Sequence, residues 1–217
     1  GFAVYGRETP GQVKLTLRLK DGVSAAAAQT LVKSAAGAVP ETVVRDTHVV
    51  VAIPLHAEAA VRKAVAESGE GIEIVGAGRR MEIFKEVGRP DDVAERFQLG
   101  RMTGTHAIGH TRMATESAVT TKGAHPFTTG PDQCLVHNGS LSNHNALRRE
   151  LIREGLTFET ENDTEVAAGY LTAKLCDGLG LKEALTASLS DLDGFFTFVV
   201  GTDTGFAVLR DPIACKP

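Results

Sequence analysis

The 217-residue sequence is poor in the features that would assign it to an unusual class. Cysteine is scarce. Cys134, Cys176 and Cys215 make an odd count without metal-type spacing, which excludes a disulfide framework and makes a reducing cytoplasm the expected setting. None has an activating neighbour in sequence, so all three are expected to be buried and inert. Basic charge is not in excess either: 23 Lys and Arg stand against 27 Asp and Glu, the net charge is −4, and the cations are scattered. That distribution offers no footprint for a nucleic-acid backbone. Long apolar runs are missing, since Val49 to Leu55 falls far short of the roughly 18 residues of a membrane span. Gly1 to Pro10 shows no basic segment followed by an apolar one, so no secretory signal is visible, and a soluble chain is expected. There is no Gly-rich phosphate loop of the usual form. His106 and His110 are four apart on an expected strand, about 13 Å from each other, too far for one metal ion.

What is present is an ordinary globular composition with 42% apolar residues, enough to close a sizeable core. Gly1 to Gly6 reads as a strand, and Val13 to Lys20 alternates, with Val13, Leu15, Leu17 and Leu19 on one face and Lys14, Thr16, Arg18 and Lys20 on the other. Ser24 caps a helix over 25–36 that Gly37 suits as a stop. Residues 43–53 read as one bent strand or two short ones, and 57–67 as a second helix. Strands 72–75 and 81–84 flank a Gly-Ala-Gly-Arg-Arg hairpin signal. Residues 11–87 therefore form a compact two-layer α/β unit, inserted into or fused onto a larger core made of 1–10 and 88–217. In that core Pro90 opens a helix running to Leu99. There follow strand 104–109, loop 111–132, strand 133–137, helix 143–154, strand 156–160, helices 163–177 and 181–190, and a hairpin of strands 194–201 and 205–210.

Three polar pieces between His106 and Glu165 could carry chemistry. Arg112 follows a strand end, and its planar fork can grip a carboxylate bidentately, although a loop Arg in solvent is the plainer alternative. Asn138 and Gly139 follow an apolar strand. There a side-chain amide and a backbone N–H can aim at one oxyanion, while a plain Asn-Gly turn explains the same dipeptide. Asn162 with Glu165 resembles a capping box, which leaves Asp163 to face an ammonium group. A ligand that satisfies Arg112 and Asp163 together carries both carboxylate and ammonium, as an α-amino acid does.

In their order and spacing, Gly109-His110-Thr111-Arg112-Met113-Ala114-Thr115, Ala124-His125-Pro126-Phe127, Val136-His137-Asn138-Gly139 and Asp163-Thr164-Glu165-Val166 resemble the class II glutamine amidotransferase domain. Arg210-Asp211-Pro212 resembles that family's downstream segment. The resemblance covers about residues 102–217, and Gly1 to Gly6 looks like the strand that follows the family's first motif block. It implies an α+β chain, with a four-layer αββα core of the N-terminal-nucleophile (Ntn) hydrolase type. Arg112 would bind the glutamine carboxylate and Asp163 its ammonium, Thr115 and His125 would line the pocket, and Asn138 and Gly139 would form the oxyanion hole. The family's nucleophile is an N-terminal cysteine activated by its own α-amine; here residue 1 is Gly, so the cysteine is expected upstream. Met113, where many members carry an aromatic, and Asn162, where Ser is usual, depart from the pattern.

The 11–87 unit and the stretch Gly104 to Ser117 further resemble the glutamate-synthase-related amidotransferase subunits, including that of N-methylglutamate synthase. Such a subunit needs no cofactor itself. The resemblance implies a glutamate-synthase-like partner subunit holding FMN and an iron–sulfur cluster, with glutamine or a glutamate-like molecule as the ligand. The alternative is a non-catalytic assembly or glutamate-sensing subunit that keeps the fold without a nucleophile.

Overall fold

In the computed structural model, residues 1–111 and 119–217 are described, Thr129 by its backbone alone. The core begins with β1 (Phe2–Tyr5), the centre of a three-stranded antiparallel sheet between β6 (Met81–Phe84) and β7 (His106–Gly109). A second sheet has the order β11 (Gly205–Arg210), β10 (Gly194–Thr202), β9 (Gln133–Leu141), β8 (Phe127–Gly130). Between the two sheets lie Ala3, Tyr5, Met81, Ile83, Ile108, Cys134 and Val136, all buried. On the far side of the second sheet pack α4 (His144–Arg153), α5 (Asp163–Cys176) and α6 (Leu181–Asp191), whose Leu151, Val166, Leu171 and Leu185 meet Leu135, Phe196 and Phe198. Across the first sheet, Phe2, Val4 and Phe84 pack against Val93 and Phe97 of the α3 region (Pro90–Arg96). The layers thus run helix, sheet, sheet, helices in an α+β chain.

Between β1 and β6 the chain builds its own unit: β2 (Gln12–Leu19), α1 (Ala25–Ala36), β3 (Glu41–Arg45), β4 (His48–Pro54), α2 (Glu58–Ser68) and β5 (Ile72–Gly78). Its sheet order is β3-β4-β2-β5, fully antiparallel, which is the βαββαβ arrangement of ferredoxin-like units. Leu15, Leu17 and Leu19, alternating as expected, bury against Ala28, Val32, Val61 and Val65 of the two helices. Ser24 accepts a bond from the Ala27 N–H at 3.1 Å, and Gly37 closes α1 in the left-handed conformation. Both termini match the sequence expectation.

Several expectations are corrected. The stretch 72–84 is not a hairpin, because β5 continues through Gly78 in register with β2 whereas β6 leaves to pair with β1. The Asp132 carboxylate holds that exit, accepting from the N–H groups of Arg79, Arg80 and Met81 at 2.7, 2.8 and 2.9 Å. α3 stops at Arg96, since Gln98 turns left-handed at φ 56°. The expected loop 111–132 contains β8. Residues 156–160 form no strand: the Glu165 carboxylate takes the N–H groups of Glu159 and Thr160, both at 2.8 Å, instead of leaving them to a ladder. Cys176 and Cys215 are exposed, because the buried stretch of α5 ends at Leu171 and Cys215 lies in irregular chain after β11. Cys134 is buried as expected, with its thiol pushed up by desolvation.

Candidate functional site

β9 supplies the central side chains. It runs unbroken to Leu141, with Asn138 opposite Thr197 and Gly139 opposite Phe196 of β10, so the expected sharp turn at Asn138-Gly139 does not form. Alternation along β9 directs Cys134 and Val136 to the layer between the sheets, and Asn138 follows on that face. Asn138 is exposed, and its side-chain amide bonds to none of the described residues. Gly139 has a φ of 147°, and a Cβ there would strike the Phe195 carbonyl oxygen and come within 2.9 Å of the His137 ring. Both conformation and space therefore demand glycine.

His137, on the opposite face, reaches the start of α5. Its Nδ1 lies 3.0 Å from the Thr164 hydroxyl, which lies 2.9 Å from Nε2 of His125. All three are buried: His125 is 4% exposed, His137 5% and Thr164 1%. One hydroxyl has a single proton for two imidazoles, so at least one ring nitrogen must donate to it. Burial holds the His137 ring neutral, lowering its pKa to about 4 against the opposing pull of Asp163. The His125 ring lies 4.4 Å from that of His110, just past the end of β7, with the two planes tilted by 34°.

Asp163 is the first residue of α5, where Asn162 caps the helix by accepting from the Thr164 N–H at 2.9 Å. The expected capping box is only half made, since Glu165 turns back to residues 159–160 rather than to the Asn162 N–H, which donates to Thr160 Oγ1. Asp163 is not wholly unengaged. Its Oδ2 accepts from the Leu141 N–H at 3.0 Å, while its Oδ1 accepts from the Thr164 hydroxyl at 3.5 Å and lies 3.8 Å from His137 Nδ1. Gly1, His110, Thr111 and His125, together with Val93 and Leu99, line a cleft of about 810 Å³. Asn138, Gly139 and Asp163 do not line it; of the three, Asp163 touches Thr164, whose hydroxyl lies 2.9 Å from His125 Nε2. Arg112 and Thr115 lie outside the described residues.

A family model described as a glutamine amidotransferase domain matches residues 110–217, which contain Arg112, Thr115, His125, His137, Asn138, Gly139, Asp163 and Thr164. Over the whole chain, the sequence is 58% identical to "Glutamine amidotransferase-like protein GlxB" of Rhizobium meliloti, of which it covers 72%. The chain belongs to the glutamine amidotransferase family. Other members diverge further. A putative glutamine amidotransferase of Methanothermobacter thermautotrophicus is 40% identical over 70% of this chain and 50% of its own length. The glutamine–fructose-6-phosphate aminotransferase of Bartonella quintana is 41% identical over 60% of this chain, which spans 21% of that enzyme. Among solved structures, the glutamine phosphoribosylpyrophosphate amidotransferase of B. subtilis superposes with a TM-score of 0.48 at 22% identity, over 100% of this chain and 38% of that one.

Two residues of this amidotransferase domain were not singled out from sequence: Thr164, which joins His125 to His137, and His137 itself. Both sit inside quoted motifs, yet their partners are 39 and 27 residues away. Among the described residues there is no group of three or more His, Cys, Asp or Glu that could hold a metal, and no helix is long and apolar enough to cross a membrane.

Proposed function

We propose that this amidotransferase domain hydrolyses the side-chain amide of glutamine, or of a related γ-glutamyl amide, and that the released ammonia passes to a glutamate-synthase-like partner subunit in an N-methylglutamate synthase-type complex. The partner, not this chain, would hold the FMN and iron–sulfur centre. In this reading Arg112 binds the α-carboxylate, Thr115 and His125 line the pocket, and Asp163 Oδ1 accepts from the α-ammonium. A cysteine preceding Gly1 attacks the amide carbon, its proton passing through the α-amine to the departing nitrogen. Oxygen charge builds in that step. Asn138 Nδ2–H and the Gly139 N–H donate to it, ammonia leaves, and water hydrolyses the glutamyl thioester to glutamate.

The observation that carries this reading is the state of Asn138: an amide at the open end of the layer between the sheets, with no bond to the described residues. His137, Thr164 and His125 support it from behind, fixing the strand on which the two donors sit. The test uses the full-length mature protein, whose first residue is identified by mass spectrometry beside a glutaminase assay. Asn138→Ala should lower kcat by about 10²–10³ with little change in KM, the usual cost of one oxyanion donor. A protein with no N-terminal thiol and no glutaminase activity leaves the assembly or sensing role instead.

A further inference from the structure

A second cavity, of about 450 Å³, lies where β5 of the inserted unit faces β8 and α5 of the core, and it shares no lining residue with the cleft. Its floor is Lys85, the residue after β6. Lys85 is 7% exposed; its ammonium donates to the Lys122 carbonyl at 3.0 Å and sits 4.3 Å from the centre of the Phe127 ring. Among the described residues no carboxylate pairs with it, so two of its three N–H donors are unmatched. Arg18 enters from β2. One of its terminal nitrogens meets Glu73 at 3.3 Å, while its Nε is buried without a partner.

The acidic groups around the cavity are committed elsewhere. Glu73 is shared among Arg18, Lys20 and Lys122, Glu159 pairs with Lys122, and Glu165 is taken by the Glu159 and Thr160 N–H groups and the Thr160 hydroxyl. Among the described residues, what remains unsatisfied at the cavity is the Lys85 ammonium and Arg18 Nε, both cationic donors. A buried ammonium without a counter-ion is costly, and the cost disappears when an anion enters. Burial lowers the Lys85 pKa to about 8 against the opposing pull of the Glu165 and Glu159 carboxylates. The volume suits a small metabolite rather than a peptide.

We propose that this cavity binds a small molecule through a carboxylate or phosphate group held by the Lys85 ammonium and Arg18 Nε–H. Neither side chain lines the cleft, and direct titration reads this binding without recourse to glutaminase activity. Phe127 adjoins both regions, lying under Lys85 and edge-on to the His125 ring at 5.5 Å.

The test titrates the full-length protein calorimetrically with inorganic phosphate and, separately, with malonate, each against sodium chloride of equal ionic strength. Saturable binding of phosphate alone points to a phosphorylated ligand and of malonate alone to a carboxylate; either supports the site. Lys85→Met should weaken that binding about tenfold or more and Arg18→Gln by a smaller factor, as loss of a charge-assisted bond requires. Lys63→Met, on an exposed face of α2, should leave it unchanged. Because Lys85→Met could fail to fold, reductive methylation of the unmutated protein provides an independent reading: the bound anion should shield Lys85 from labelling. Absence of saturable binding by both anions, affinity retained within twofold in both variants, or unshielded Lys85 overturns the proposal.

Discussion

The inserted unit and the paired core sheets are both made of alternating strands, yet their second faces meet different surroundings. In the core, Ala3, Tyr5 and Ile108 face Cys134 and Val136, and the layer between the sheets is apolar. In the insert, Leu15 and Leu17 close a private aliphatic core, while the opposite face of β2 presents Lys14, Thr16 and Arg18. That polar face does not point to water. Lys14 pairs with Glu82 at 2.6 Å, Thr16 is fully buried and accepts from the Ile83 N–H at 3.3 Å, and Arg18 borders the second cavity. On the neighbouring strand, His48 is fully buried and its Nε2 accepts from the Lys85 N–H at 3.4 Å. The core is joined by shape and the insert by polar pairs. A polar strand face can therefore be a docking face, provided that each buried group finds a partner.

The largest expected effect tests the shape-joined side. Gly139→Ala should cost about 4 kcal/mol or more, or prevent folding, because the new Cβ meets the Phe195 carbonyl oxygen at a positive φ. Urea denaturation measures it, and a loss below about 1 kcal/mol would show that β9 and β10 can separate at no great penalty. On the polar side, Asp132→Ala removes the acceptor of three N–H groups at the insert's exit and should cost about 3 kcal/mol. Hydrogen exchange at residues 79–81 should accelerate with it.

Acid should loosen the same polar joint. Burial, aided by Arg18, lowers the His48 pKa from 6.5 to about 4 in the folded protein. The unfolded chain thus takes up a proton first as pH falls, so stability drops between about pH 6.5 and 4 and levels off below, by up to about 3 kcal/mol for His48 alone. His137 adds a drop in the same window, since its pKa is also about 4. His48→Gln should remove the first part and keep the second, which denaturation at pH 7 and pH 4.5 can resolve. Arg62→Ala, on the water-facing side of α2, breaks only an i,i+4 pair with Glu58 and should cost about 0.5 kcal/mol or less. A larger loss there would mean that the insert depends on its exposed face as much as on its docked one.

Much of the fold was legible because its signals are local. The Ser24 cap, the Gly37 stop and the alternation of β2 were read from neighbouring residues and stand in the structure. The errors share a cause of the opposite kind. Residues 156–160 have strand-like composition, but Glu165 captures their amides. Asn138-Gly139 has turn-like composition, but pairing with β10 holds it extended. In each case a partner outside the local window outweighed local preference. The candidate site divides in the same way: the motifs named Asn138, Gly139, His125 and Asp163, and none of them indicated that one threonine hydroxyl links two imidazoles behind the strand.

By itself the sequence determined the class of the chain, the positions of most helices and strands, and the order of the motifs that mark the amidotransferase family. Short-range periodicity and capping suffice for those. Only the tertiary structure decided that β6 leaves the insert for the core, that Asp132 clamps that exit, that Thr164 bridges His125 and His137, and that Lys85 is buried with no carboxylate paired to it among the described residues. These outcomes depend on bonds made, or left unmade, between residues 27 to 82 positions apart (Thr164 from His137, Phe84 from Phe2), and on which face water cannot reach. Neither the partner across such a distance nor the exclusion of water is encoded in any short stretch of chain.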